Sequence, residues 1–400
     1  MGGEARWFYA PRRILTGCGC LGAIGDEVIR LGGQRALIIT DPGVLSAGIV
    51  EMVREHLMMK KLKVEVFSGV QPNPTVENVK EGLRVLGTGG FPVIIGVGGG
   101  SALDAGKGIA ALAANKGDIK DYDGVDLLPN RMLPYVAVNT TAGTGSEVSR
   151  AAVITDTERK WKMQMVTDHV TPDVAIDDPL LTVNLPPGPT AQTGMDALTH
   201  AIEGLVGNNG SYITDGLALN AIELISKNLR VAYADNDNLE ARTKVMYGQM
   251  IAGLAFTNAG VGNVHAMAHQ LGAVYDIPHG LANAVILPYV MEFNLVARES
   301  KFAAAARAMD CDEFGLSDRA LAWRACSAVV ALNRDFRIPQ SLKEIGVIED
   351  DLEMLTGKSM DDGCVTLNPR ATSRKEMEEL WFRAFQGSLR EQTLEGIADL

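Results

Sequence analysis

The chain has 400 residues, of which 46% are hydrophobic and 22% are charged, a balance typical of a soluble globular protein with two or three domains. Its formal net charge of −12 provides no broad cationic surface, so nucleic acids and anionic membranes are not expected partners. Five scattered cysteines, an odd number, favour reduced thiols over a disulfide framework. With no stretch approaching about 20 apolar residues and no signal-peptide core at the start, we expect a cytoplasmic protein.

Short β-branched runs alternate with helical stretches in the first half of the chain. This alternation is typical of a parallel or mixed sheet covered by helices. We predict strands at 36–41, 63–67 and 92–97 and helices at 44–60, 75–86 and 101–115. Strand-like segments at 151–155, 161–166 and 174–177 suggest a hairpin-like extension. The first half is therefore expected to be a nucleotide-binding α/β domain.

The pattern changes after Leu185, where Pro-Pro-Gly-Pro follows. Beyond it the strand signals fade and long helical windows begin, at 190–206, 212–232 and 239–258. We therefore place the domain boundary here. The prediction is a dinucleotide-binding α/β domain over 1–184 and a helical metal-binding and substrate domain over 185–400.

A glycine-rich turn follows the predicted strand at 92–97. It consists of Gly98, Gly99, Gly100 and Ser101 and lies directly before an alanine-rich helix. Glycine lets a diphosphate approach the backbone closely, and the amides and dipole at a helix start favour negative charge. The turn alone is equally consistent with an ordinary tight strand-to-helix connection.

Two other features agree with a nucleotide site. Asp41 ends a predicted strand, where its carboxylate can accept hydrogen bonds from both ribose hydroxyls and would repel a 2′-phosphate. The run Thr140-Thr-Ala-Gly-Thr-Gly-Ser146 is a second loop of small residues after a strand, with hydroxyls that can bind phosphate or the nicotinamide amide. The Asp41 carboxylate favours NAD over NADP as the cofactor.

A cluster of histidines in the second half points to a metal. Asp196 and His200 are four positions apart, so on a helix they project from one face and can bind one ion. His265 and His269 repeat that spacing, and His279 follows Pro278 at a predicted turn. Spacing alone leaves open whether both His265 and His269 are ligands.

The chemistry of such a site can be estimated from its donors. Three neutral imidazoles and one carboxylate around a divalent cation leave a net charge of +1, which makes a Lewis acid with room for a further ligand. Nitrogen and oxygen donors suit iron(II), zinc, manganese or cobalt. The sequence therefore predicts a metal-dependent dehydrogenase.

Several long motifs resemble the group III, iron-dependent alcohol dehydrogenases. They are Gly98-Gly-Gly-Ser-Ala-Leu-Asp104, Thr140-Thr-Ala-Gly-Thr-Gly-Ser-Glu147, Gly194-Met-Asp-Ala-Leu-Thr-His-Ala-Ile-Glu203, and Gly262-Asn-Val-His-Ala-Met-Ala-His-Gln-Leu-Gly272 with Pro278-His-Gly280. The resemblance covers nearly the whole chain. It implies a Rossmann-like α/β domain followed by an all-helical domain, the dehydroquinate synthase-like architecture, with the active site in the cleft between them.

The resemblance also assigns roles to residues. It implies that the metal, iron(II) first among the alternatives, is bound by Asp196, His200, His265 and His279, and that His269 lies beside the nicotinamide rather than on the metal. Because imidazole titrates near neutrality, we expect His269 to be catalytic as a relay for the alcohol proton. It implies that NAD is bound by Asp41, Asn73, Gly98, Gly99, Gly100, Ser101, Thr140, Thr141, Thr144 and Lys162. Phe256 and Cys364 match positions near the substrate pocket. Family analogy further implies a homodimer or higher homo-oligomer.

The predicted reaction interconverts a small primary or secondary alcohol and its aldehyde or ketone by hydride transfer with NAD(H). A glycerol dehydrogenase or a dehydroquinate-synthase-like enzyme is the alternative, since both use a metal and NAD on this architecture, and a non-catalytic nucleotide-binding scaffold is a third possibility. Arg150 near the pocket would suit an anionic substrate, or it forms a surface ion pair. The physiological alcohol is not encoded in these motifs.

Overall fold

The protein, seen in a computed structural model, is described over residues 5–87 and 92–399. The first four residues, on which part of the signal-peptide expectation rests, lie outside this range. The chain divides into two compact units. Unit 1 comprises residues up to 140 together with 145–154 and 163–178, and unit 2 comprises 141–144, 155–162 and all residues from 179 onward.

A six-stranded parallel sheet forms the centre of unit 1. The described strands are β1 Arg13–Thr16, β2 Arg35–Ile39, β3 Lys63–Phe67, β4 Pro92–Gly98, β5 Gly124–Val125, β6 Tyr135–Asn139, β7 Ala151–Asp156, β8 Trp161–Val166 and β9 Val174–Asp177. The large sheet has the order β1-β9-β6-β4-β2-β3, and a small sheet has the order β5-β8-β7. The central strands are buried, because helices cover a parallel sheet on its faces.

Five α-helices are described in unit 1 and ten in unit 2. In unit 1 they are α1 Ile24–Arg30, α2 Pro42–Ser46, α3 Ile49–Met59, α4 Val76–Leu86 and α5 Gly100–Ala114. In unit 2 they are α6 Pro187–Val206, α7 Tyr212–Ala234, α8 Leu239–Ala259, α9 Asn263–Tyr275, α10 His279–Asn294, α11 Glu299–Ala308, α12 Asp318–Asp335, α13 Leu352–Asp361, α14 Arg374–Gln386 and α15 Glu391–Glu395. The predicted fold class, a parallel α/β part followed by a helical part, is confirmed.

Two local predictions are wrong. The helix expected over 44–60 is two helices, α2 and α3, because Gly48 has a φ of 80° and interrupts the helical backbone. The segment 174–177 was expected in a hairpin-like extension, but as β9 it pairs in parallel with both β1 and β6 in the large sheet. That pairing depends on contacts distant in sequence, which a local pattern does not report.

Helix α10 is the most apolar long helix of unit 2. With the short turn after it, the span His279–Ala297 is long and apolar enough to cross a bilayer by length and composition, contrary to the expectation that no such stretch exists. However, 78% of that span is buried inside the protein. Its residues pack against the core of unit 2, so its apolar character is that of a buried helix.

Candidate active site

The carboxyl ends of three neighbouring strands bring several predicted nucleotide residues together in unit 1. Asp41 lies just after β2, Gly98 ends β4, and Thr140 follows β6. These strands are adjacent and parallel, with Gly98 in register with Asn139. Ligands of open α/β sheets bind outside the carboxyl ends of the strands. The sheet therefore presents these side chains and the Gly98–Ser101 turn at one edge.

The glycine turn is shaped for close approach. Gly98 has a φ of 150°, and a Cβ on it would lie 2.7 Å from the Cβ of Ala102 and 3.3 Å from Oδ2 of Asp41. Helix α5 begins at Gly100, so the exposed amide groups of its first turn are at the strand end. Asp41 caps α2, because its Oδ1 accepts from the amides of Gly43 and Val44. Its other oxygen faces Gly98.

A buried lysine, which the sequence analysis did not single out, ties α5 to the next loop. Lys107 is fully buried, and its Nζ donates to the carbonyl of Ala151 at 2.7 Å and to the carbonyl and Oγ of Ser149 at 3.1 Å each. One turn earlier, Asp104 accepts from Oγ of Ser146. Burial lowers the pKa of Lys107 to about 8. These bonds fix the helix that carries the glycine turn.

The four candidate metal ligands come together inside unit 2. Asp196 and His200 are on α6, His265 is on α9, and His279 is the first residue of α10. Their ligand atoms all lie within 4.8 Å of one another, and the Nε2 atoms of His200 and His265 are 2.9 Å apart. Ligands about 2.0–2.2 Å from one ion lie at most about 4.4 Å apart, so small side-chain adjustments close the set around a cation.

Burial determines the charge of this cluster. Asp196, His200 and His265 are each at most 5% exposed. Burial, followed by the charges of the other imidazoles, lowers the pKa of His265 and of His279 well below the usual value. Burial raises the pKa of Asp196, whereas a cation bound beside it would favour the carboxylate. Neutral imidazoles with available lone pairs and one carboxylate are the donor set that a divalent metal requires.

Packing and one buried glutamate orient the ligands. Glu203, one turn after His200 on α6, lies 2.6 Å from Nδ1 of His265 and accepts from the amide of Val264. Burial raises the pKa of Glu203 to about 7. In its ionised form this carboxylate only accepts, so Nδ1 of His265 carries the proton and Nε2 faces the other ligands. A Cβ on Gly280 would meet the carbonyl of Gln192 at 2.4 Å, so only glycine allows α10 to start this close to α6.

His269 lies beside the cluster rather than in it. Its Nδ1 is 2.9 Å from Oδ2 of Asp362, and its ring is stacked with His279 at 5.6 Å between centroids. Asp362 also accepts from the amide of Cys364, and these three residues form a second buried group with metal-binding side chains. The four-residue group contains both His265 and His279 but not His269.

The remaining predicted residues are distributed over both units. Phe256 stacks on the ring of His200, with 4.3 Å between the ring centroids.

The Arg150 guanidinium lies over the Tyr9 ring in unit 1, 4.4 Å from the ring centroid. Asn73 is partly buried in unit 1 with a φ of 55°. Thr141, Thr144 and Lys162 belong to unit 2, where the charge of buried Lys162 contributes to the lowered pKa of His279.

A parallel sheet with a glycine turn at its carboxyl edge, in a chain that also holds a buried cluster of one carboxyl group and three imidazoles, defines a class of protein. It is a metalloenzyme that uses a nucleotide cofactor.

The family described as iron-containing alcohol dehydrogenase matches residues 11–179, and its C-terminal part matches residues 190–385. The chain is 43% identical over 380 residues to 1,3-propanediol dehydrogenase of Citrobacter freundii, covering 94% of this chain and 98% of the relative. It is 40% identical to NAD-dependent methanol dehydrogenase of Bacillus methanolicus, covering 93% and 98%. The crystal structure of a 1,3-propanediol oxidoreductase superimposes with a TM-score of 0.92 at 42% identity, covering 96% of this chain and all of that one.

The chain therefore belongs to the iron-containing alcohol dehydrogenase family. It is an NAD-dependent, iron-type oxidoreductase that interconverts alcohols with aldehydes or ketones, and its cofactors are iron and NAD. The predictions of family, enzyme class and cofactors are confirmed. Nothing in the comparisons favours a glycerol dehydrogenase or a dehydroquinate-synthase-like enzyme.

Proposed function

We propose that the physiological substrate is a short, uncharged alcohol or diol, or the corresponding aldehyde in the reverse direction. The observation that carries the proposal is the convergence of Asp196, His200, His265 and His279 on one point. The relatives named for 1,3-propanediol and methanol support a small substrate without charge. The stacking of Phe256 on His200 supports its assignment to an apolar wall of the substrate pocket.

The four ligands and their buried partners have distinct roles in this proposal. When bound, the divalent cation supplies a Lewis acid that stabilises negative charge on the substrate oxygen. Asp196, His200, His265 and His279 would hold it, and Glu203 keeps the His265 ring in the tautomer that a ligand needs. The Gly98–Ser101 turn would bind the diphosphate of NAD, whose nicotinamide supplies the hydride acceptor when the cofactor is bound.

His269 is proposed as the proton relay. Its Nδ1 is paired with Asp362, so Nε2 is the nitrogen that exchanges the hydroxyl proton. We expect His269→Ala to lower kcat for alcohol oxidation about a hundredfold, the lower end of what general acid–base catalysis contributes. Metal content should stay unchanged, because the four-residue group does not contain His269. Steady-state kinetics with metal analysis checks this, and an unchanged kcat would remove His269 from the proton path.

Asp41 is proposed to select NAD over NADP. Asp41→Ser retains an oxygen that can cap α2 but removes the negative charge that repels a 2′-phosphate. We expect kcat/KM with NADP, relative to NAD, to rise about tenfold to a hundredfold, corresponding to about 1.4–2.8 kcal/mol of relieved repulsion. Asp41→Ala serves as the matched control that also loses the cap. An unchanged ratio in both variants would show that Asp41 does not contact the ribose.

The direct test of the proposed function is a substrate screen. Protein reconstituted with iron(II) under anaerobic conditions is assayed for NADH formation with short alcohols, diols and hydroxyacids. The proposal expects net NADH with uncharged short substrates and much less with hydroxyacids; a preference for hydroxyacids would instead support a substrate role for Arg150. An enzyme that recycles its NAD, as a dehydroquinate-synthase-like lyase does, would form no net NADH. A cytoplasmic location, a homo-oligomeric state and the domain boundary near Leu185 stay predictions.

A further inference from the structure

A buried asparagine stands among the candidate metal ligands. Asn283 lies on α10, one helical turn after His279, and it is fully buried. Its Nδ2 is 2.6 Å from Oδ1 of Asp196, 3.1 Å from Nε2 of His279 and 3.3 Å from Nε2 of His265. One amide group therefore contacts three of the four candidate ligands. Neither the spacing of histidines nor the family motifs point to it.

The chemistry of these contacts defines which end of the amide faces the ligands. Asp196 as a carboxylate and neutral imidazoles at Nε2 are acceptors, so an amide oxygen in this position would face three acceptors. The NH₂ end can donate to them, and Oδ1 on the other side is a buried oxygen with no hydrogen-bond partner among the described residues. Asn283 therefore acts as a hydrogen-bond donor to the candidate ligands. The lack of a partner for its buried Oδ1 costs free energy.

One of the three contacts is compatible with a bound cation. A neutral imidazole has a single lone pair at Nε2, which either accepts a hydrogen bond or binds a cation. When His265 and His279 bind the cation through Nε2, they can no longer accept hydrogen bonds from Asn283. A carboxylate oxygen has further lone pairs. The bond from Nδ2 to Oδ1 of Asp196, also the shortest of the three, is the one that persists.

We propose that Asn283 is a positioning residue for the metal site, which holds the Asp196 carboxylate in the orientation that binds the cation. This inference rests on the proposed function of the four-residue cluster. The hydrogen bond restricts rotation of the carboxylate of Asp196, the only anionic member of the set. Partners of metal ligands typically change metal affinity about tenfold to a hundredfold when they are removed.

The variant that tests the proposal is Asn283→Leu, which is nearly isosteric and cannot donate. Its matched control is Asn333→Leu. Like Asn283, Asn333 is buried and has an Oδ1 without a hydrogen-bond partner among the described residues. Its side chain donates to the carbonyl of Ala284 on α10, the helix that carries Asn283. Zinc(II) is the probe, since it takes the same nitrogen and oxygen donors and is stable in air. Affinity is measured by competition with a chelator of known zinc affinity.

The expected result is a zinc affinity about tenfold to a hundredfold weaker in Asn283→Leu and within about threefold of the parent protein in Asn333→Leu. Equal zinc affinity in Asn283→Leu and the parent, or an equal loss in both variants, would overturn the proposal. If Asn283→Leu does not fold, Asn283→Ala is used, and the increase in melting temperature on adding zinc replaces the competition assay. In that assay the Ala variant should show a smaller increase than the parent, and an equal increase would overturn the proposal.

This test is separate from the test of the proposed function. A parent protein that binds no zinc or iron would contradict the proposed function itself. A parent protein that binds metal and oxidises alcohols, with an Asn283→Leu variant of unchanged affinity, would contradict only the role of Asn283. The visible spectrum of the cobalt(II)-substituted protein adds a second readout, because a displaced carboxylate alters the geometry around the ion while a remote loss of stability does not.

Discussion

Asp196→Asn is expected to lower kcat/KM for alcohol oxidation about a thousandfold or more. The substitution is isosteric, but it removes the only negative charge among the four candidate ligands. A bound cation contributes several kcal/mol of charge stabilisation, and each 1.4 kcal/mol corresponds to a factor of ten in rate. The variant should lose most of its iron on dialysis, as measured by metal analysis alongside the kinetics.

The control for this prediction is Asp178→Asn. Asp178 is similarly buried, but it lies in unit 1 and accepts from the amides of Gly19 and Leu21. Its substitution should affect stability while iron content stays that of the parent protein. Normal iron content and activity in Asp196→Asn would show that the carboxylate is not a ligand.

Gly98→Ala is expected to weaken NADH binding about tenfold to a hundredfold. The added Cβ would lie 2.7 Å from the Cβ of Ala102, and the φ of 150° is a conformation that side chains rarely adopt. Backbone strain of this kind costs about 1–3 kcal/mol, so the turn must shift away from the conformation that admits a diphosphate. Titration of NADH fluorescence measures the effect.

Gly216→Ala is the matched control for the glycine turn. Gly216 lies on α7, and a Cβ there meets no atom within 4 Å, so the same substitution should leave NADH binding unchanged. Zinc binding should be unchanged in both variants, because all four candidate ligands belong to unit 2. Native NADH affinity in Gly98→Ala would remove this turn from the cofactor site.

The fold was largely predictable because its signals are local. Helix α4 begins after Thr75, whose side chain caps it, and the predicted segment 75–86 matches that helix. Among the exceptions, strand β9 was assigned to the wrong sheet and edge strand β1 was not predicted. Both are four residues long and owe their place to pairing between positions more than 150 residues apart.

The candidate site shows the same difference between residues that local spacing predicts and residues that depend on distant contacts. Asp196 and His200 could be found from their spacing on one helix, because a turn of helix brings positions four apart to one face. Glu203 continues that face, and Asn283 lies four positions after His279, so the same rule applied to all polar residues would have marked both as candidates. Asp362 and Lys107 could not be found in this way, because their partners come from segments distant in sequence.

The central claim is that one cation, held by Asp196, His200, His265 and His279, activates an alcohol for oxidation by NAD. Anaerobic titration of the metal-free protein with iron(II), with NADH formation from propane-1,3-diol followed at each addition, tests it most directly. The rate should rise in proportion to iron, level off at one iron per chain and fall on addition of a chelator. A rate that is independent of iron, or full iron occupancy without NADH formation from any short alcohol, would contradict the claim.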